Sequence, residues 1–148
     1  MNETSRKNPS AWTLEEWNRI GKNKLPGLVG MEIVSVSLEL LKSRLSIRQV
    51  LMAPNGFLHG ASVVALADTS CGYGTLINLP DKASGFTTIE LKTNFLGTAK
   101  NGVILCEATP LHRGRSTQIW DAEVTEQSSG KVLAHFRCTQ MILWPKGE

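Results

Sequence analysis

Asp68 lies in the middle of an apolar run, residues 61 to about 76, in which Val63, Val64, Leu66, Ala67 and Cys71 are spread round most of a helical circumference. A helix apolar on nearly every side is buried. A carboxylate inside it is costly unless it is paired, hydrogen-bonded or put to use. Such a conflict between local rules marks a candidate functional site. The start of the same helix is a second chemical resource. Its first N–H groups have no intrahelical acceptor and stand at the positive end of the helix dipole. Gly60 there permits close backbone approach. Just upstream, Pro54-Asn55-Gly56 combines a fixed φ with two residues that tolerate positive φ, which predicts a turn into the helix. A carboxylate and a pole that attracts developing negative charge are thus carried on one element.

The rest of the chain must hold that element. Residues 1–10 read as a polar tail. Thr13-Leu-Glu-Glu16 has the form of a capping box and predicts a short helix to about Lys22, anchored by Trp12 and Trp17. Lys24-Leu-Pro-Gly27 is expected to end it, so that residues 1–26 form a tail and flap. From Met31 the period changes to two. Ile33, Val36, Leu38 and Leu40 alternate with polar or small residues, and Leu45 and Ile47 do so again, which predicts a hairpin. Beyond Pro80 four strands follow, near residues 85–95, 103–109, 116–124 and 132–143, separated by turns at Asn101-Gly102, His112-Arg-Gly-Arg115 and Ser128-Ser-Gly130. Trp120 and Trp144 are expected in the core or at an interface. The order predicts an α+β fold, a curved antiparallel sheet of about six strands wrapped round one long central helix. One such layer leaves sheet edges that need cover, which a dimer continuing the sheet supplies in part.

Composition excludes several classes. At 148 residues, one domain over 1–148 is expected. A charged fraction of 20% and a net charge of +3, with no basic run beyond Arg6-Lys7, leave no nucleic-acid footprint. Cys71, Cys106 and Cys138 are widely spaced and odd in number, which argues against a disulfide framework and a zinc site. Buried free thiols in a reducing cytoplasm fit them. No segment approaches the ~20 apolar residues of a membrane span, and the N-terminus has no apolar core of a signal peptide. No membrane or nucleic-acid partner and no metal are expected.

Asn55-Gly-Phe-Leu-His59-Gly60-Ala61, followed by Ala65-Leu-Ala-Asp68-Thr-Ser, resembles the hotdog-fold acyl-CoA thioesterases of the phenylacetate-pathway and 4-hydroxybenzoyl-CoA type. That pattern is His-Gly-Gly with an acidic residue nine positions after the His, the spacing of His59 and Asp68. The stretch Thr87-Thr-Ile-Glu-Leu-Lys-Thr-Asn-Phe-Leu is similar to the strand that follows the helix, and His112-Arg-Gly-Arg-Ser-Thr to a late turn. The similarity runs from about residue 27 to 142. Ala61 replaces the second Gly. Ala53 stands six before the His, where many relatives carry Asn or Gln, and Asn55 stands four before.

The resemblance implies hydrolysis of an acyl-CoA or aryl-acyl-CoA thioester without a cofactor, coenzyme A being part of the substrate. Asp68 acts as general base for water or as nucleophile, and the Gly60 N–H polarises the carbonyl as an oxyanion donor. His59 orients the turn or donates to the thioester, and Asn55 is the candidate for the role that Ala53 lacks. The site is completed across a homodimer, or a tetramer of paired dimers, by a hydroxyl on the strand after the helix. Thr88 lies at that position, with Thr87 and Thr69 as substitutes. Arg113, Arg115 and Lys100 fall where the nucleotide end of coenzyme A is held, Arg suiting phosphate. Phe57 and Tyr73 are candidates to line the acyl pocket. A bland reading stands beside each: a turn-forming Gly, a carboxylate bonded to neighbouring backbone, solvated loop arginines, packed aromatics. Two other functions share the resemblance, a non-catalytic acyl-CoA-binding module and, with its motif absent here, an enoyl-CoA hydratase.

Overall fold

Period-two alternation turns six stretches of this chain into strands, each with one face apolar. The computed structural model describes residues 8–147. In chain order it has α1 (Leu14–Ile20), α2 (Leu25–Val29), β1 (Met31–Val36), β2 (Leu41–Ser46), α3 (Gly60–Ile77), β3 (Gly85–Phe95), β4 (Val103–Arg113), β5 (Thr117–Glu126) and β6 (Val132–Leu143). The strands form one antiparallel sheet in the order β1-β2-β4-β5-β6-β3. α3 lies along one face of it, against β2 to β6. Leu66, Ala67 and Cys71 of the helix and Leu45, Ile104 and Trp120 of the sheet are fully buried in one shared core.

The sequence signals act locally much as their chemistry requires. Thr13 Oγ1 accepts from the Glu16 N–H at 3.2 Å and Glu16 Oε2 accepts from the Thr13 N–H at 2.8 Å, a complete capping box. Trp17 is buried beneath that helix, edge-on to Trp12. Three expectations need correction. α1 stops at Ile20, and Leu25-Pro26 opens a second short helix instead of ending the first, because Pro is tolerated in a first helical turn. β1 stops at Val36, where Ser37 folds back on Leu40 through both its N–H and its hydroxyl; Leu38 is therefore exposed. His112 and Arg113 continue β4, and the turn is carried by Gly114, whose N–H donates to the Thr117 carbonyl. Of the tail expected at 1–10, residues 1–7 lie outside those described.

α3 contains glycines for steric reasons. A Cβ at residue 74 would stand 2.5 Å from Trp120 Cζ3, so the fully buried indole passes against bare helix backbone. The two sheet edges differ. At β1, the Asn18 side chain of α1 accepts from the Ile33 N–H at 2.7 Å and donates to the Ile33 carbonyl at 3.1 Å, acting as a one-residue surrogate strand. β3 is eleven residues long and, among the described residues, is paired only to β6. Its Ile89, Leu91 and Phe95 are exposed. An edge of that length and apolarity is one that proteins normally cover. The three cysteines are free and buried, and Trp144 lies beyond β6, where its Nε1–H donates to the Arg115 carbonyl. Among the described residues no helix is long and apolar enough to cross a membrane.

Candidate active site

The loop before α3 is closed by its own backbone. Ala53 and Phe57 are joined N–H to carbonyl at 2.7 Å, and the Gly56 N–H, in a residue with φ of 85°, donates to the Ala53 carbonyl at 3.0 Å. Asn55 is at the exposed tip, where its Oδ1 accepts from the Phe57 N–H at 3.2 Å. That carbonyl oxygen is therefore committed to the turn. The loop delivers His59 to the N-cap of α3. There Nδ1 accepts from the Ala61 N–H at 3.0 Å, while the His59 N–H donates to the Leu51 carbonyl. A ring nitrogen that accepts carries no hydrogen, so the neutral ring holds its hydrogen on Nε2, on an exposed side chain. The Gly60 N–H, in the first turn, has no intrahelical acceptor, and none among the described residues takes it. Phe95 explains the glycine: its Cζ would be 3.0 Å from a Cβ at residue 60.

Asp68 faces β3. Gly60 lies against Phe95, and Gly72 against Phe86, whose Cζ is 3.4 Å from the position of an added Cβ. α3 and β3 therefore run antiparallel, with residues 60–72 over residues 86–95. At about 100° per residue, Asp68 points between those two contact directions, roughly 80° from the first and 40° from the second. Its side chain leans toward the helix N-terminus, as all helical side chains do. That brings the carboxylate nearer Gly60 than the ~12 Å axial rise between the Cα atoms. Asp68 Oδ1 is buried and has no hydrogen-bond partner among the described residues. Burial raises the carboxyl pKa from its ordinary 3.8. The expected alternative, a carboxylate tied to neighbouring backbone, is not what is seen.

Thr88 stands in the same stretch of β3, with Oγ1 donating to Gln140 Oε1 at 2.7 Å. Thr87 is exposed on the opposite face of the strand, and Thr69 is rotated about 100° from Asp68, away from the sheet. Phe57 and Lys100 meet at the N-terminal end of α3, with Nζ 4.7 Å from the ring centroid. The two arginines lie at the other end. Arg113 bridges Glu39 at 2.8 Å and donates to Asn78 Oδ1, the C-cap of α3, and to the Leu38 carbonyl. Through Nη1 that cation fastens a turn to the C-terminal end of α3. Arg115 stays exposed, stacked 5.1 Å from Trp144. Tyr73 lies elsewhere on α3. It packs on Trp17 at 5.6 Å, on the side of α3 that looks away from β3, and burial raises its pKa. Sequence reasoning passed over Gln118 and Gln140, which are fully buried and directly opposite each other on β5 and β6. Their signal was available, since both fall on the inward phase of strands whose other inward residues are apolar.

The model of the family described as the thioesterase superfamily matches residues 55–133, more than half of the chain. The chain belongs to the thioesterase superfamily. A 1,4-dihydroxy-2-naphthoyl-CoA hydrolase from Listeria monocytogenes is 31% identical over 111 residues, covering 75% of this chain and 89% of that protein. Among solved structures, a thioesterase from Haemophilus influenzae superposes with a TM-score of 0.84 at 25% identity, over 93% of this chain and 95% of its own. A thioesterase variant from Pseudomonas aeruginosa gives 0.85 at 25% identity, over 93% and 96%. The sheet and its long helix are thus the hotdog fold, and the chain is a thioesterase. The matched segment of this superfamily member runs from Asn55 through α3 and most of the sheet, and contains His59, Gly60, Asp68 and Thr88.

Proposed function

We propose that this thioesterase hydrolyses an acyl-CoA or aryl-acyl-CoA to the free acid and coenzyme A, with Asp68 at the reacting carbon. The observation that carries the reading is the buried, unpartnered Asp68 Oδ1, on the helix face that looks at β3 below the open Gly60 N–H. The thioester oxygen sits at the N-terminus of α3 and takes the Gly60 N–H, with the His59 Nε2–H beside it. Negative charge developing there meets fixed donors that need no reorganisation. Asp68 either removes a proton from the attacking water or attacks the carbonyl itself to form an anhydride that water then opens. In both routes the C–S bond breaks and the thiolate leaves as coenzyme A. Carboxylate and N–H donors supply the base and the electrophilic assistance, so the route calls for no metal or redox cofactor. The free, buried cysteines suit a reducing cytoplasm.

A homodimer through β3 completes the site. Phe57, Lys100 and Gly60 are gathered at the Phe95 end of the strand, while Arg115 and Trp144 are gathered at the Gly85 end. Antiparallel pairing of two β3 edges sets these ends side by side. Lys100 and Phe57 then meet Arg115 of the partner subunit, a cation pair with an aromatic surface for the phosphates and adenine of coenzyme A. Thr88, two residues from the middle of β3, comes to the level of Asp68 from either subunit. Leu28 and Val50, 74% and 77% exposed, lie away from this edge and suit the pairing of dimers into a tetramer.

The test is release of free thiol from a panel of butyryl-, octanoyl-, phenylacetyl-, benzoyl- and naphthoyl-CoA by wild type and Asp68→Asn. Turnover of at least one ester is expected, with a loss of about 10²–10⁴-fold in kcat for the variant. Binding of the esters without turnover would identify a non-catalytic module, and an unchanged rate in Asp68→Asn would remove Asp68 from the reaction.

A further inference from the structure

Gln140 has no place in the machinery described above, yet it is a wholly buried carboxamide within one hydrogen bond of it. Burying such a group is costly unless its hydrogen bonds are made. Gln118, beside it on β5, shows how a structural amide of this kind is satisfied. It accepts from the Trp120 Nε1–H at 2.9 Å and donates to the Asn78 carbonyl at 2.8 Å, locking the indole and the end of α3. Gln140 is tied differently. Its Nε2 donates to the Cys138 sulfur at 3.4 Å, a weak acceptor on its own strand, and its Oε1 accepts from the Thr88 hydroxyl at 2.7 Å. The strong bond of this amide goes to the edge strand and to the hydroxyl in the site.

We propose that Gln140 is a positioning residue that acts through Thr88. By taking the hydroxyl hydrogen it turns Thr88 into a fixed acceptor facing the attacking water. The chemistry favours that direction. The water must give one hydrogen to Asp68 and keep a lone pair aimed at the thioester carbon. Thr88 Oγ1 as acceptor holds its second hydrogen and leaves that lone pair free. A Thr88 hydroxyl free to rotate could instead donate to the water oxygen, occupying the lone pair that attacks and weakening the nucleophile. A threonine side chain has few χ1 options, so one strong bond sets both rotamer and polarity. In the general-base route the water oxygen bonds to the carbonyl carbon, its proton passes to Asp68 and on to the departing sulfur, and the C–S bond breaks. Thr88 and Gln140 end the cycle unchanged.

The inference rests on the hydrolytic reading above, and its test separates the two. Thr88→Val, Gln140→Met and the double variant are assayed with the fastest ester of the panel, Asp68→Asn alongside. Each single variant is expected to lower kcat about 10–100-fold, the scale of a misplaced reacting group, with KM within roughly threefold of wild type. The double variant should be no slower than Thr88→Val, because the second change has nothing left to act through. Thr88→Ser, which keeps the hydroxyl, should return kcat to within about threefold of wild type. Additive losses in the double variant, or wild-type kcat in either single variant, overturn the role of Gln140. If Gln140→Met does not fold, Thr88→Val alone decides: wild-type turnover without the hydroxyl sinks the proposal. An active Asp68→Asn overturns the hydrolytic reading whatever the cycle gives. An inactive Asp68→Asn with additive losses removes Gln140 alone.

Discussion

Asp68 contributes to stability and to activity with opposite signs. Burial raises its pKa above the 3.8 of an ordinary aspartate. Between those two values the folded chain holds a proton that the unfolded chain has released, so stability falls as pH rises through the window. Asn at this position carries no charge to desolvate. Asp68→Asn should therefore melt a few degrees higher than wild type at pH 7, with the gap closing below about pH 4. Thermal melts across pH check this, and a gap that persists at low pH would point to a cause other than ionisation. The proposed hydrolysis needs the ionised form. The acidic limb of kcat/KM should accordingly fall above the ordinary carboxylate range, and a limb at or below 3.8 would assign it to another group. His59 illustrates a second use of a single residue. Its Nδ1 caps the helix while its Nε2–H stays open, so the proposed polarising role falls to the opposite edge of the capping ring.

α3 is an apolar helix interrupted by glycines whose reasons lie elsewhere in the fold. Trp120 is fully buried and its Nε1–H is held by Gln118, so it cannot retreat from a methyl group at residue 74. Gly74→Ala should destabilise the protein near the upper end of the ~1–3 kcal/mol typical of overpacking. That outweighs the ~1 kcal/mol that alanine returns over glycine in a helix interior. Urea denaturation measures the difference, and a variant as stable as wild type would show that the indole can move. Gly60 meets the end of an exposed phenylalanine instead, a neighbour with room to turn. The same helix thus has one glycine required by a rigid core and another beside the proposed chemistry. At the other side of the sheet, Asn18 and α1 close the β1 edge with a single side chain, which leaves β3 as the open edge.

At the scale of the whole molecule, the outer sheet face is laced with exposed ion pairs, Lys42–Glu107, Arg44–Glu32 and Arg137–Asp121. Pairs of this kind contribute little to stability and mark a solvated face. The edge strand β3 adds three exposed apolar side chains, Ile89, Leu91 and Phe95. Ile89→Lys places a charge in the middle of that edge, a device that keeps edges unpaired. We expect the variant to shift to monomer by light scattering and to lose most of its turnover, since in the proposed dimer it is pairing that draws Thr88, Lys100 and Arg115 together. A monomer with wild-type kcat would show that the site is complete in one chain.

The sequence by itself determined which residues alternate, where the long helix lies, and that a carboxylate nine residues after His59 sits in apolar surroundings. These are local properties, set by side-chain period and by the chemistry of caps and turns. Tertiary structure decided what those residues touch. Arg113 reads as a loop cation, but β4 runs four residues past the expected 109 and delivers it to Glu39 and the C-cap of α3. Tyr73 stands five residues from Asp68 in the sequence, and that spacing rotates it to another side of the helix, onto Trp17. Gln140 and Thr88 are 52 positions apart and meet only because β3 returns to pair with β6. The physical reason is the same in each case. Periodicity tells which face of an element is buried, whereas partners depend on strand order and register, which are settled by packing the whole sheet round α3.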